Sequence, residues 1–226
     1  MSRHYEQSRA LVIGASGGIG AAVSAELARR GASVTTLSRA EDGLDVTSQT
    51  SVDRILGALS GPFETIFVST GILAPVGKAP EKSLDAIDVS QMADVFAANA
   101  IGPALVLRHL PRLLPPSGRS LAAVLTARVG SIGDNQLGGW YSYRASKAAA
   151  NQLVHTAAIE IRRKRKEAVV VALHPGTVAT PFTQAYDGHR KQQPDEAAKN
   201  LLDVLERLTP ADNGGFFDWA GAQVPW

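Results

Sequence analysis

Short, continuous apolar runs that alternate with helix-patterned segments restrict this chain more than any other feature. Residues 10–13, 121–125 and 168–173 are Ala, Val, Leu and Ile throughout, and 33–37 and 64–68 are rich in β-branched residues. Strands of that kind are buried on both faces, which is the condition of a parallel sheet covered by helices. Shorter runs at 44–46 and 216–217 bring the expected strand count to about seven. Helical patterning falls on 19–30, 51–59, 89–113, 140–165 and 195–208. With 226 residues, 45% of them apolar, the chain can bury such a core. No repeat or linker divides it, so the expectation is one α/β domain over 1–226 with a doubly wound parallel sheet.

Composition then narrows the functional classes. There is no Cys, which removes disulfides, thiolate metal sites and Cys nucleophiles together. The five His show no ligand spacing, so no metal site is expected. A net charge of +2, with 19% charged residues, gives no case for nucleic acid. The basic run at 162–166 follows a helical segment, where cations suit the exposed carbonyl end. No apolar stretch reaches membrane-spanning length and the first residues are polar, so a cytoplasmic protein is expected.

Gly14-Ala15-Ser16-Gly17-Gly18-Ile19-Gly20 sits between the first strand and the first helix. Gly14 suits a tight turn, Gly18 permits close approach of a pyrophosphate, and Gly20 lets helix and strand pack closely. A helix N-terminus there offers free N–H groups to phosphate. After the second strand comes Ser38-Arg39, without the carboxylate that would take a ribose 2′-hydroxyl. The Arg39 guanidinium suits a 2′-phosphate instead, so NADP(H) is expected over NAD(H), which is not excluded.

Tyr143 and Lys147 stand four residues apart at the start of a predicted helix and share one face. An ammonium beside a phenol favours the phenolate and lowers its pKa from about 10. That is useful for a proton donor to a carbonyl or a base toward an alcohol.

Together these motifs resemble the short-chain dehydrogenase/reductase family over essentially the full length, which implies a Rossmann-like fold and hydride exchange between nicotinamide and a carbonyl or alcohol. The resemblance carries roles onto further residues. Asp45-Val46 matches the adenine-contacting pair, and Asn99 the helix Asn that holds a relay water. Ser69, Thr70 and Gly71 stand where the family has an Asn-Ala-Gly segment. Pro175, Gly176, Val178 and Thr180 resemble the stretch that contacts nicotinamide, with Ser16 and Ile19 in the phosphate loop. Residues 130–132, 139–144 and the aromatic tail 215–226 are most similar to a subgroup of C-factor-like signalling proteins and small carbonyl reductases. The family usually forms homodimers or homotetramers, and the expected partner is a small carbonyl or alcohol.

Three departures from the family pattern follow. The Asn-Asn-Ala-Gly segment reads Val68-Ser69-Thr70-Gly71. The second and third expected strands are too close for the usual helix between them. The catalytic serine position falls on Ala127, which leaves Ser131 as the expected replacement and Thr126 as a weaker candidate. A short polar loop at 181–194 is expected to face substrate. Besides the reductase, two readings stay open: a pteridine-type reductase, and an NADP(H)-binding sensor with little turnover, which the loss of serine at Ala127 favours.

Overall fold

The computed structural model describes residues 5–184 and 191–226. Its strands are β1 (Arg9–Ile13), β2 (Ser33–Leu37), β3 (Thr65–Val68), β4 (Ser120–Leu125), β5 (Ala168–His174) and β6 (Phe216–Asp218). They form one sheet in the order β2-β1-β3-β4-β5-β6, parallel throughout. The helices are α1 (Gly18–Arg29), α2 (Arg39–Asp42), α3 (Gln49–Ala58), α4 (Val89–Phe96), α5 (Gly102–Leu107), α6 (Leu110–Leu113), α7 (Tyr141–Lys164) and α8 (Pro194–Arg207).

Alternate strand residues feed two cores. Leu11, Ile13, Ile66, Val68, Val124 and Val170 pack on one face against Val52, Leu56, Val106 and Val154. Ala10, Val12, Phe67, Ala123 and Val171 pack on the other against Leu27 of α1 and Leu201 and Leu205 of α8. Both faces of the sheet are thus covered, as continuous apolar strands require. No helix of the described residues is long and apolar enough to cross a membrane.

Two expected elements come out differently. Residues 44–46 are not a strand. The Asp45 carboxylate accepts from the N–H and hydroxyl of Thr47, and Ser51 Oγ bonds both Asp45 N–H and the Gly43 carbonyl. This local turn uses the groups a ladder would need, so the sheet has six strands among the described residues. Only the single turn of α2 stands between β2 and that segment, which leaves no long helix there.

The long helix expected over 89–113 is broken. A π-turn, Ala97–Ile101, separates α4 from α5, and the Gly102 N–H reaches five residues back to the Ala97 carbonyl. Pro103 has no N–H to give the Asn99 carbonyl four residues back, so a regular turn cannot close there.

Candidate active site

All strands point their C-terminal ends at one edge of the sheet. There a cavity of about 420 Å³ lies between the loop after β1, the loops after β3 and β4, the start of α7 and the segment after β5. Its volume is that of a small-molecule site.

The loop after β1 is folded for phosphate. Gly14 has φ +88, and its N–H and that of Ala15 both bond the Leu37 carbonyl. A Cβ on Gly20 would lie 2.2 Å from the Gly14 carbonyl oxygen, and one on Gly18 would lie 2.6 Å from Thr180 Cγ2. No side chain caps α1 at Gly17, so its first N–H groups are left for a ligand. Ser16, Gly18, Ile19 and Gly20 line the cavity. Ser69 from β3's end donates its hydroxyl to the Ile13 and Gly14 carbonyls and braces the loop from below.

At the other end stand Tyr143 and Lys147. Both are buried, at 7% and 4% exposure, and both line the cavity. Lys147 Nζ lies 5.8 Å from the centre of the Tyr143 ring and donates to the Leu125 carbonyl at 3.2 Å. Burial pushes the Tyr143 phenol up from its usual value and the Lys147 ammonium down to about 8. In the protein alone, desolvation therefore outweighs the lowering that an adjacent ammonium was expected to give the phenol. Gly71, with φ +155, makes room for these groups, since a Cβ there would lie 2.9 Å from Asn99 Oδ1 and 3.2 Å from Lys147 Nζ.

Asn99 ties the loop after β3 to α7. Its Oδ1 accepts from the Ile72 N–H, and its Nδ2 donates to the Ile72 carbonyl and to Ser146 Oγ. Both amide N–H groups are spent on protein. Pro103 deprives the Asn99 backbone carbonyl of its α-helical donor.

Ser131 is not brought to the cavity. It is buried beyond Gly130, and its Oγ accepts the Asp134 N–H at 3.0 Å, closing a turn. Ala127 and Thr126 line the cavity instead. The Thr126 hydroxyl is buried and has no hydrogen-bond partner, as do Thr70 Oγ1 and His174 Nδ1, two further lining residues. Burial holds His174 down at about 4, so it is neutral.

Pro175, Gly176, Val178 and Thr180 line the wall after β5. Arg39 and Asp45 lie beyond the cavity beside the end of β2, Arg39 exposed. The Thr47 hydrogen bonds, with the Arg39 charge adding to them, hold the Asp45 carboxyl below its ordinary value. Val46 packs where a Cβ on Gly102 would lie 2.9 Å from its Cγ2. Of the loop expected at 181–194, Pro181–Thr183 is a short turn lining the cavity, while residues 185–190 lie outside the described residues.

Sequence reasoning passed over Leu73, Leu125, Val129 and, as a wall of the site, Trp140, while Phe182 falls in the loop expected to face substrate. The rings of Trp140 and Phe182 lie 6.0 and 5.9 Å from that of Tyr143. The Gly138-Gly139 pair just before Trp140 was the one local signal of an unusual backbone there.

The residues fit a dinucleotide phosphate: a glycine cradle that any Cβ would fill, an uncapped helix start, and unpartnered buried hydroxyls on Thr70 and Thr126. Known proteins agree with this geometry. The family model described as short chain dehydrogenase matches residues 8–191. A 1-hydroxy-2-glutathionyl-2-methyl-3-butene dehydrogenase of a Rhodococcus species is 34% identical over 97% of this chain and 100% of its own length. The C-signal protein of Myxococcus xanthus is 38% identical over 64% of this chain and 84% of its own. In structure, a short-chain dehydrogenase/reductase from Burkholderia multivorans with bound NADP superposes with a TM-score of 0.83 at 27% identity, covering 97% of this chain and 100% of that one. A carbonyl reductase from chicken fatty liver with bound NADPH does so at 0.80 and 25%, over 98% and 95%. The chain thus belongs to the short-chain dehydrogenase family.

Proposed function

We propose that the protein is an NADPH-dependent reductase of a small carbonyl compound, with Tyr143 as the proton donor. The observation that carries this reading is that Tyr143 and Lys147 are buried in the wall of the same cavity whose far end is the glycine cradle. The NADP held by the Burkholderia relative and the NADPH held by the chicken carbonyl reductase support it.

When bound, the nicotinamide supplies a hydride to the carbonyl carbon. The residues of this chain do the rest. The free N–H groups at the start of α1 take the pyrophosphate, Gly18 keeps its approach clear, and Gly20 lets α1 pack against the Gly14 turn. Arg39 and Asp45 serve the adenosine end, with the Arg39 guanidinium toward a 2′-phosphate. The segment at Pro175, Gly176, Val178 and Thr180 holds the carboxamide side. Lys147 Nζ has one hydrogen bond to Leu125 and further N–H groups for ribose hydroxyls.

Tyr143, kept protonated by burial, donates to the carbonyl oxygen as negative charge develops on it. The unpartnered Thr126 hydroxyl donates a hydrogen bond to the same oxygen, the role assigned by sequence to Ser131. Proton return runs by way of Lys147 and a water on the Asn99 carbonyl. The protein acts in the cytoplasm as a homodimer or homotetramer.

A second reading, a nucleotide-binding sensor with little turnover, draws on Ala127, which brings no hydroxyl to the cavity. Titration with NADPH and NADH, followed by a panel of aldehydes, ketones, quinones and quinonoid dihydropterin, separates these readings. Tight NADPH binding with carbonyl turnover is expected. Binding without turnover of any carbonyl moves the protein to the sensor class, and turnover of dihydropterin alone to the pteridine reductases.

A further inference from the structure

One segment at the cavity is held in a conformation its sequence does not favour. Gly138, Gly139 and Trp140 have φ of +64, +64 and +52 in succession, and Trp140 has ψ 46. Glycine adopts this left-handed region freely, but tryptophan does so against a steric penalty. A strained non-glycine residue persists only where its surroundings over-determine it, and such residues gather at functional sites.

The surroundings here are specific. The Trp140 N–H donates to the Glu81 carbonyl at 2.5 Å, and the Glu81 carboxylate accepts from both the N–H and the hydroxyl of Ser142. Glu81 is 3% exposed and comes from the loop before α4, some sixty residues away in sequence. It acts as the missing cap of α7, whose own N-cap residue, Trp140, offers no side-chain acceptor. From the other side, Arg144 Nε donates to the Gly138 and Gly139 carbonyls and its Nη1 to that of Val129. The turn is gripped from both flanks.

The result is a fixed aromatic wall. The Trp140 ring meets the Tyr143 ring edge-on at 72°, while Phe182 meets it at 55° from the loop after β5. Leu73 and Val129 line the same region, and among the described lining residues Lys147 is the one side chain that carries a full charge at neutral pH. Two rings flanking a proton-donating phenol suit a flat, uncharged ring beside the reacting carbonyl.

Resting on the reductase reading above, we propose that Trp140, locked left-handed by Glu81, is a specificity-determining residue that selects carbonyls borne on flat aromatic rings. Glu81 is then a positioning residue, acting on substrate choice through Trp140 and Ser142.

The test compares two aldehydes of nearly equal size, benzaldehyde and cyclohexanecarbaldehyde, one flat and one puckered, with NADPH. Wild type is expected to favour benzaldehyde by tenfold or more in kcat/KM. Trp140→Gly keeps a backbone that glycine accepts, so the fold is retained. It should collapse that preference to within about threefold, chiefly through KM for benzaldehyde, while the Kd for NADPH stays within about threefold. Glu81→Ala, which removes both acceptors from Ser142, should erode the same preference, and Glu81→Gln, whose amide oxygen can still accept the Ser142 N–H, should restore part of it. A preference untouched by Trp140→Gly overturns the proposal while leaving the reductase reading in place. Binding of NADPH with turnover of no carbonyl at all is a different outcome, and it overturns the reductase reading and this inference together.

Discussion

Gly71 and Lys147 are in contact in the sense that matters for a substitution: a Cβ added to Gly71 would lie 3.2 Å from Lys147 Nζ. The same Cβ would lie 2.9 Å from Asn99 Oδ1, so the loop after β3, the π-turn and α7 meet at one point. Gly71 also has φ +155, a backbone conformation that side chains rarely adopt. Gly71→Ala is therefore expected to displace the ammonium and the Asn99 amide together. Turnover should fall roughly 10²-fold, the scale at which small misplacements of catalytic groups act. A thermal melt alongside the kinetics should show a loss of about 1–3 kcal/mol. Unchanged turnover would mean that Lys147 does not need its present position.

Thr126 and Ser131 make opposite predictions. Thr126→Val removes an unpartnered hydroxyl from the cavity at nearly constant shape. Loss of a donor to the developing oxyanion should lower kcat by about 10²–10³. Ser131→Ala removes an acceptor from the Asp134 N–H, outside the cavity. It should cost about 1 kcal/mol of stability and leave kcat within a few fold. The reverse pattern would restore Ser131 to the reaction.

The buried Lys147 sets a pH dependence whose sign can be worked out. Its ammonium titrates at about 8 in the folded protein against 10.5 in an exposed lysine. Between these values the unfolded chain binds more protons, so the stability of the nucleotide-free protein should rise as pH goes from about 8 to 10.5. Below 8 the buried charge is a standing cost. Lys147→Met should then raise the melting midpoint at pH 7 while lowering turnover by at least 10². In the wild type, kcat/KM for carbonyl reduction should fall as pH rises through about 8, because the ammonium that supports Tyr143 loses its proton. A flat profile from pH 7 to 9.5 contradicts this role for Lys147.

Arg39 lies at the exposed end of β2 and has no part in the core. Arg39→Ala should weaken NADPH about tenfold, or roughly 1.4 kcal/mol, and leave NADH nearly unchanged. Isothermal titration with both nucleotides reads this directly. Asp42 complicates the end of β2, because its carboxylate accepts the Ser38 N–H at 2.7 Å. Equal losses for the two nucleotides would remove Arg39 from any role in choosing between them.

The parts of the fold that were legible in sequence are those set by local pattern. The apolar runs that became β1 to β5, the Gly14–Gly20 loop and the Tyr143–Lys147 spacing all express short-range rules, and each sits where its pattern indicates. What escaped depends on partners distant in sequence or on side chains competing with the backbone. Residues 44–46 look like a strand until Thr47 and Ser51 claim their hydrogen bonds. Pro103 was visible, yet its effect on the Asn99 turn needs the helix geometry around it. Ser131 and Thr126 are five residues apart, and only the turn closed by Asp134 decides which of them reaches the cavity. Trp140 in a left-handed turn is against its residue type, and the Glu81 that holds it comes from another loop.

The central claim is that Tyr143 donates the proton in an NADPH-dependent carbonyl reduction, and side-by-side study of wild type and Tyr143→Phe tests it most directly. Both proteins are titrated with NADPH, and both are then assayed for NADPH oxidation with benzaldehyde under saturating nucleotide. The account predicts Kd values within about threefold of each other and a loss of turnover of roughly 10²–10⁴ in the variant. Turnover by Tyr143→Phe within tenfold of wild type would contradict it.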